Sequence, residues 1–123
     1  MLTELFREVA GKEGVVAIVT CAGGEAHVVN TWNSYLTMPD EVRLLIPAWK
    51  MRTTEANIAQ NPKVLLTLGS KEVQGRMGPG TGFLVEGTAR FFKEGEEYDA
   101  MKAKFPFLTR VLEVTVTSLK QTI

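Results

Sequence analysis

The sequence predicts one antiparallel β-barrel domain, mainly β, with short helices flanking the barrel. Six segments have the composition or the alternation of β-strands, most of them are joined by turns, and only three stretches have helical patterns. The length of 123 residues suits a single domain covering 1–123, and we find no internal repeat or linker.

The first elements are a helix and a β-hairpin. Apolar residues recur at helical spacing over 2–9, and Gly11 ends that helix. The β-branched run Val15–Thr20 is typical of a buried strand. The turn at Ala22–Glu25 leads the chain back into a second strand, which extends to Asn30–Trp32 and completes the hairpin.

A third strand, a helix and a fourth strand follow. The turn Met38–Glu41 precedes a strand over Val42–Pro47. Met51–Gln60 has a helical pattern, and Asn61–Pro62 closes it because the residue before a proline is biased away from helical angles. Lys63–Leu68 is the fourth strand.

The C-terminal part contributes two strands and a helix. We predict a loop over Ser70–Gly80, which is rich in glycine and charge, and then a long strand over Thr81–Phe92. Glu96–Lys104 has the pattern of a helix that breaks near Pro106. The alternation over Val111–Thr117 indicates a half-buried sixth strand.

The bulk composition argues against several classes of protein. Fourteen basic and fourteen acidic residues give zero formal charge and a pI near 6.6, so binding to nucleic acid through phosphate neutralisation is not expected. Cys21 is the single cysteine, which suits a reducing compartment. No apolar run approaches the ~20 residues of a membrane span, and the N-terminus is too charged for a signal peptide. We therefore expect a cytoplasmic protein that does not bind membranes.

The most informative segment is His27–Leu36, where a strand runs into amides, hydroxyls and two large aromatic rings. Buried strands are usually apolar or cleanly alternating, and this one is neither. Asn30 and Thr31 offer hydrogen-bonding groups, while Trp32 and Tyr35 offer flat faces for another π-system. The segment lines a pocket for a flat polar ligand, forms a wet interface, or is a solvent-facing strand with two core aromatic residues.

A second informative segment surrounds the start of the predicted helix at 51–60. Its candidate ligand-binding residues are Pro47, Ala48, Trp49, Lys50, Arg52, Thr53 and Thr54. We expect Thr53 or Thr54 to cap the helix. The free N–H groups of a helix start can hold an anion, so a phosphate site is one interpretation. The other is an ordinary capped helix with solvated basic residues, which Glu55 in the first turn favours.

The run Gly75–Phe83 is rich in glycine but leads into a strand, so it is neither a P-loop nor a Rossmann fingerprint. It is either a tight connection with unusual backbone angles or a place where the backbone approaches a ligand or a second subunit. We predict no metal site, because His27 is the single histidine and no Cys or Asp clusters with it.

Six segments resemble a known family. They are Glu13–Ile18, Val29–Leu36, Thr54–Asn57, Thr67–Ser70, Gly78–Leu84 and Gln121–Thr122. In order and composition they are similar to the small bacterial FMN-binding proteins, which belong to the pyridoxamine-phosphate-oxidase-like split barrels. The resemblance covers essentially the whole chain. It implies a six-stranded split β-barrel and a homodimer with one non-covalent FMN per subunit at the subunit interface.

The resemblance also implies roles for individual residues. Asn30, Thr31 and Trp32 match positions that line the flavin, Tyr35 lies close behind them, and Thr54 matches a hydroxyl at the phosphate. We add the following candidates, of which the first matches a tryptophan that the family contributes from the partner subunit and the others approach the neighbour's cofactor: Phe107, Ser70, Gly80 and Gly82.

This chain departs from the family in the loop before the helix. The family has a lysine immediately before the Thr54 position and two glycines earlier, where this chain has Thr53, Trp49 and Lys50. The phosphate charge must then be met by Arg52 or Lys50, and we favour Arg52.

Three functions fit these observations. The first is an electron-transfer protein that carries FMN and serves an unidentified redox partner. The second is a flavin-dependent oxidoreductase of the pyridoxamine-phosphate-oxidase or flavin-reductase type, against which the chain offers few spare basic residues and no evident proton-transfer group. The third is a barrel dimer without a cofactor. We favour the first.

Overall fold

Six antiparallel strands form one curled sheet in the computed structural model, which describes all residues 1–123. The strands are β1 (Val15–Ala22), β2 (Glu25–Trp32), β3 (Arg43–Ala48), β4 (Lys63–Gln74), β5 (Pro79–Phe92) and β6 (Arg110–Gln121). Their order across the sheet is β2-β1-β4-β5-β6-β3, so that β2 and β3 are the edges of the curl. This is the split barrel that the sequence and the resemblance predict, and the fold prediction is confirmed.

Three helices accompany the sheet. They are α1 (Glu4–Ala10), α2 (Arg52–Gln60) and α3 (Glu96–Lys104), and a short 3₁₀ turn covers Asn33–Tyr35. Thr3 caps α1, since its hydroxyl accepts a hydrogen bond from the backbone N–H of Phe6 at 3.1 Å. None of the helices is both long and apolar enough to cross a membrane.

The core has two parts. The larger part fills the curl of the sheet and is closed by α1, whose Phe6 packs edge-on against Phe83 with ring centroids 5.4 Å apart. The smaller part lies under α3 and consists of Leu45, Met101, Phe105, Leu108 and Val111. Because α3 covers the outer side of β3 and β6, this end of the sheet is buried on both faces.

β6 differs from the half-buried strand predicted by its alternation. All residues from Arg110 to Val114 are buried, including Glu113, because α3 covers one face and the main core covers the other. Glu113 is compensated by two arginines, Arg43 at 2.9 Å and Arg90 at 2.7 Å. Alternation alone therefore indicated the strand correctly but not its environment.

The predicted loop at Ser70–Gly80 is wrong, because β4 and β5 extend into it and leave only the turn Gly75–Gly78. The backbone N–H of Gly75 donates to the carbonyl oxygen of Gly78 at 2.8 Å. A Cβ at Gly75 would lie 2.0 Å from the carbonyl oxygen of Gly80, so the two strands approach too closely for any side chain there. Glycine in this run thus serves a tight hairpin.

An ion cluster ties the beginning of β3 to α3. Arg43 contacts the carboxylates of Asp40 and Glu97 at 2.8 Å each and that of Glu113 at 2.9 Å. Hydrogen bonding to Arg43 holds the pKa of Glu97 below its usual value, and the backbone N–H of Val42 together with Arg43 does the same for Asp40.

Candidate functional site

The polar end of β2 is held by a buried asparagine. Asn33 Nδ2 donates to the carbonyl oxygen of Val9 at 3.3 Å, and its backbone N–H donates to the carbonyl oxygen of Gly14 at 2.9 Å. A Cβ at Gly14 would lie 2.9 Å from Asn33 Nδ2, so glycine is required for this approach. Asn33 is therefore structural, and it fixes the turn that presents Trp32 and Tyr35.

A cleft of about 140 Å³ lies at the split of the barrel, between the ends of β2 and β3. Its lining residues are Asn30, Thr31, Trp32, Tyr35, Pro47, Trp49, Met51 and Phe107. Tyr35 packs against Phe107 with ring centroids 5.6 Å apart. Trp32 is 48% exposed and Trp49 is 56% exposed, so large indole faces are available to a ligand.

Helix α2 begins beside this cleft with unusual backbone geometry. Lys50 and Met51 both adopt left-handed angles, with φ of 62° and 53°. Met51 is the N-cap residue and makes no side-chain capping bond, so the predicted cap at Thr53 or Thr54 is wrong. Both threonines lie in the first turn instead. The N–H groups of this turn therefore have no side-chain acceptor and face outward from the helix start.

Thr54 carries a polar atom without a partner. The residue is fully buried, and its Oγ1 makes no hydrogen bond within the chain. Buried hydroxyls are normally satisfied, so an orphan at a helix start next to a cleft points to a ligand that supplies the missing partner.

Three cations and one carboxylate surround the helix start. Arg52 Nη1 and Arg110 Nη2 lie 3.0 and 3.1 Å from the same oxygen, Oε1 of Glu55. Arg52 is exposed, whereas Arg110 is buried. Lys50 Nζ lies 4.8 Å from the ring centroid of Trp49. The net charge of this group is positive by two, since one carboxylate faces three cations, which suits an anionic ligand.

Seven of the sequence-predicted residues meet in the cleft: Asn30, Thr31, Trp32, Tyr35, Pro47, Trp49 and Phe107. Four more stand at the start of α2: Lys50, Arg52, Thr53 and Thr54. Met51, which sequence reasoning missed, joins the two groups because it both lines the cleft and caps the helix. Ala48 is fully buried and lines neither.

Phe107 reaches the cleft from its own chain. The resemblance implied that the ring at this position comes from a partner subunit, but Phe107 packs on Tyr35 of the same chain. The short connection between α3 and β6 places it there, because both elements pack against β3. This correction makes the aromatic cleft a feature of one subunit.

Ser70, Gly80 and Gly82 lie outside the cleft. They line a separate shallow groove of about 660 Å³ formed by β1, β4, β5 and the C-terminal residues. Val15 on the edge of this groove is paired in register with Trp32, so the groove adjoins the cleft on one face of the sheet. The exposed apolar residues of this face include Val15, Val28, Trp32 and Ile123.

Fold and site together define a split-barrel domain whose edge cleft meets an anion-suited helix start. The chain belongs to the pyridoxamine 5'-phosphate oxidase family, whose model matches residues 2–122. It is 49% identical over 123 residues to the FMN-binding protein of Nitratidesulfovibrio vulgaris (strain DSM 19637 / Miyazaki F), and the match covers 100% of both chains.

Solved structures with low sequence identity share the fold. HupZ of Group A Streptococcus superposes with a TM-score of 0.79 at 17% identity, covering 98% of this chain and 99% of that one. An FMN-binding protein from Syntrophomonas wolfei gives 0.72 at 15% identity, covering 88% and 76%. The FAD-binding protein from Mycobacterium smegmatis gives 0.67 at 20% identity, covering 98% and 92%.

Proposed function

We propose that this chain binds one non-covalent FMN per subunit and acts as an electron-transfer protein. The observation that carries the proposal is the orphan hydroxyl of Thr54 at the uncapped start of α2, directly beside an aromatic cleft. The 49% identical relative named as an FMN-binding protein supports the same ligand. Bound FMN would supply the redox chemistry, and the protein would supply binding and orientation.

The phosphate of FMN fits the start of α2. Its oxygens would accept hydrogen bonds from the N–H groups of the first turn and from Thr54 Oγ1, and they would be attracted by Lys50 and Arg52. Since Thr54 is fully covered, the Lys50–Met51 loop must shift slightly to admit the phosphate. Two left-handed residues in succession make that loop a natural place for such a movement.

The ring system of FMN fits the aromatic cleft. The indole of Trp32 would contact its face, Tyr35 and Phe107 would form the wall behind, and the amide of Asn30 would face its polar edge. Trp49 would cover the flavin where the family has glycine.

FMN is favoured over riboflavin and FAD by the same phosphate site. Riboflavin lacks the terminal phosphate, and FAD extends beyond it to a group for which the α2 start offers no further pocket. Titration of the flavin-free protein should therefore give the order FMN, FAD, riboflavin in decreasing affinity. Equal affinity for FMN and riboflavin would overturn the assignment of this site.

We also propose a homodimer in which each subunit completes the other's flavin site. A cleft of about 140 Å³ is smaller than the ~300–1,000 Å³ of typical ligand pockets. The adjoining groove, with Ser70, Gly80 and Gly82, and the exposed apolar sheet face offer a surface that a second copy would cover. A monomer by sedimentation that still holds stoichiometric FMN would contradict this.

Electron transfer is favoured over catalysis because the cleft offers few groups for proton transfer. Tyr35 is its only titratable lining residue, and His27 lines neither cleft nor groove. The test is the absorption spectrum of the purified protein, followed by assays with pyridoxamine phosphate and with NAD(P)H. A flavin spectrum without turnover supports the proposal. Turnover would favour an oxidoreductase, and a colourless protein that takes up no flavin would favour a barrel without a cofactor.

A further inference from the structure

Arg110, the first residue of β6, is a buried arginine that its strand pattern did not reveal. It is 5% exposed and is paired in register with Ala48 at the end of β3. Its Nη2 donates to the carbonyl oxygen of Lys50 at 2.6 Å, and its Nη1 donates to Thr109 Oγ1 at 2.7 Å. The guanidinium therefore lies beneath the loop that leads into α2 and grips its backbone.

That loop needs an external restraint. Left-handed angles at two successive non-glycine residues, Lys50 and Met51, are disfavoured for residues with a Cβ. Such angles persist only where the surrounding structure holds them. The bond from Arg110 to the Lys50 carbonyl is the one side-chain hydrogen bond that the chain makes to the backbone of these two residues.

The charge of Arg110 is incompletely used within the chain. Its Nε is buried without a partner, and the oxygen of Glu55 that it contacts is shared with Arg52. The orphan Thr54 hydroxyl lies in the same first turn of α2. Two unpartnered buried polar atoms thus occur around one helix start, and a buried cation of this kind is stabilised by an anion nearby.

We propose that Arg110 is the positioning residue of the phosphate site. Acting through the Lys50 carbonyl, it fixes the loop so that the N–H groups of the first turn of α2 stay aimed at the phosphate. This inference rests on the proposed FMN function. It makes Arg110 specific for the phosphate end of the ligand, because the guanidinium does not line the aromatic cleft.

The test is a comparison of FMN and riboflavin affinity in Arg110→Met, measured by fluorescence titration of flavin-free protein. We expect FMN affinity to fall by about tenfold or more, and riboflavin affinity by less than about threefold, since a charge-assisted contact network is lost only at the phosphate. An equal loss for both flavins, or an unchanged FMN affinity, would overturn the inference.

Arg110→Lys provides a milder variant in case Arg110→Met folds poorly. A lysine keeps the charge but lacks the planar fork that reaches the Lys50 carbonyl and Glu55 together. We expect its preference for FMN over riboflavin to lie between those of the wild type and Arg110→Met. A full wild-type preference would show that charge alone matters and would overturn the positioning role.

Arg43→Met is the matched control for general loss of stability. Arg43 carries three ion pairs and stands at the opposite end of β3 from the loop. Its loss should lower thermal stability while leaving the ratio of FMN to riboflavin affinity unchanged. If Arg43→Met changes that ratio as much as Arg110→Met does, the ratio reports stability and the inference fails.

A double-mutant cycle with Lys50→Gly tests the mechanism itself. Glycine accepts left-handed angles without strain, so the loop needs less restraint in that background. The FMN affinity lost through Arg110→Met should therefore be smaller in the Lys50→Gly protein than in the wild type. Additive losses would refute positioning through the loop. If the wild type itself binds no flavin, it is the proposed function that fails and not this inference alone.

Discussion

Replacing Thr54 with valine should stabilise the flavin-free protein and weaken FMN binding. The Thr54 hydroxyl is fully buried and has no hydrogen-bond partner within the chain. Such a group costs on the order of 1–3 kcal/mol, and valine has nearly the same shape and helix propensity. We expect the free energy of unfolding to rise by about 1 kcal/mol, which corresponds to about 3–6 °C in Tm for a domain of this size.

The same substitution removes a donor to the phosphate. A hydrogen bond to a charged group is worth about 1.5–3 kcal/mol, so the FMN affinity of Thr54→Val should fall by about 10- to 150-fold. Riboflavin affinity should stay unchanged. Calorimetry of the flavin-free protein measures the stability change, and titration with each flavin measures the affinities.

Thr20 offers a matched control with the opposite sign. It is also buried, but its Oγ1 accepts a hydrogen bond from Asn57 Nδ2 at 3.1 Å. Thr20→Val should therefore lower the stability by on the order of 1 kcal/mol. If Thr54→Val lowers the Tm as Thr20→Val does and leaves FMN affinity unchanged, the Thr54 hydroxyl does not face the phosphate and the site assignment is refuted.

Three further substitutions test other parts of the site and fold. Arg52→Ala should weaken FMN binding only about three- to tenfold, because Arg52 is exposed and already bonded to Glu55; flavin titration measures it. Trp32→Ala should brighten the emission of protein-bound flavin, measured at saturating FMN, because an electron-rich indole quenches the excited ring. It should also lower FMN affinity, since stacking contributes ~0.5–1.5 kcal/mol beyond buried area. Glu97→Gln should lower the Tm near neutral pH. The pKa of Glu97 is lowered in the folded state by Arg43, so its stabilisation is present above the usual value of 4.5 and is lost as pH falls through the folded pKa. The difference in Tm from the wild type should therefore close in acid.

The outcomes that contradict these three expectations are distinct. An unchanged affinity in Arg52→Ala would move the phosphate role to Lys50 or to the backbone. A Trp32→Ala protein that stays dark while Tyr35→Phe brightens would reverse the roles of the two rings. A Tm difference for Glu97→Gln that persists in acid, or an equal effect of Glu96→Gln, which has no ion pair, would remove Glu97 from the pH dependence.

The sequence predicted the strands and the cleft where the signal was local. The β-branched run of β1 and the polar, aromatic end of β2 are local patterns, and both were identified correctly. The hairpin between β4 and β5 was taken for a loop because Lys71 and Glu72 are charged and exposed. Those strands project beyond the core, where pairing with each other rather than apolar burial maintains them.

The parts of the site that sequence reasoning missed depend on contacts distant in sequence. Met51 caps α2 through a left-handed backbone angle, and no side-chain pattern encodes that. Arg110 contacts Lys50, which lies 60 positions away in the chain. The only sequence signal was a pair of charges, Arg110 and Glu113, within an otherwise apolar strand. Such charges are expected on a solvent face, and here α3 and the α2 loop bury them.

The most direct test of the FMN site is a crystal structure of the protein saturated with FMN. We expect the phosphate within hydrogen-bonding distance of Thr54 Oγ1 and of the N–H groups in the first turn of α2, and the flavin ring against Trp32 in the cleft at the split of the barrel. A phosphate bound elsewhere, such as in the groove beside Lys71, with the α2 start facing solvent, would contradict the site derived from this chain.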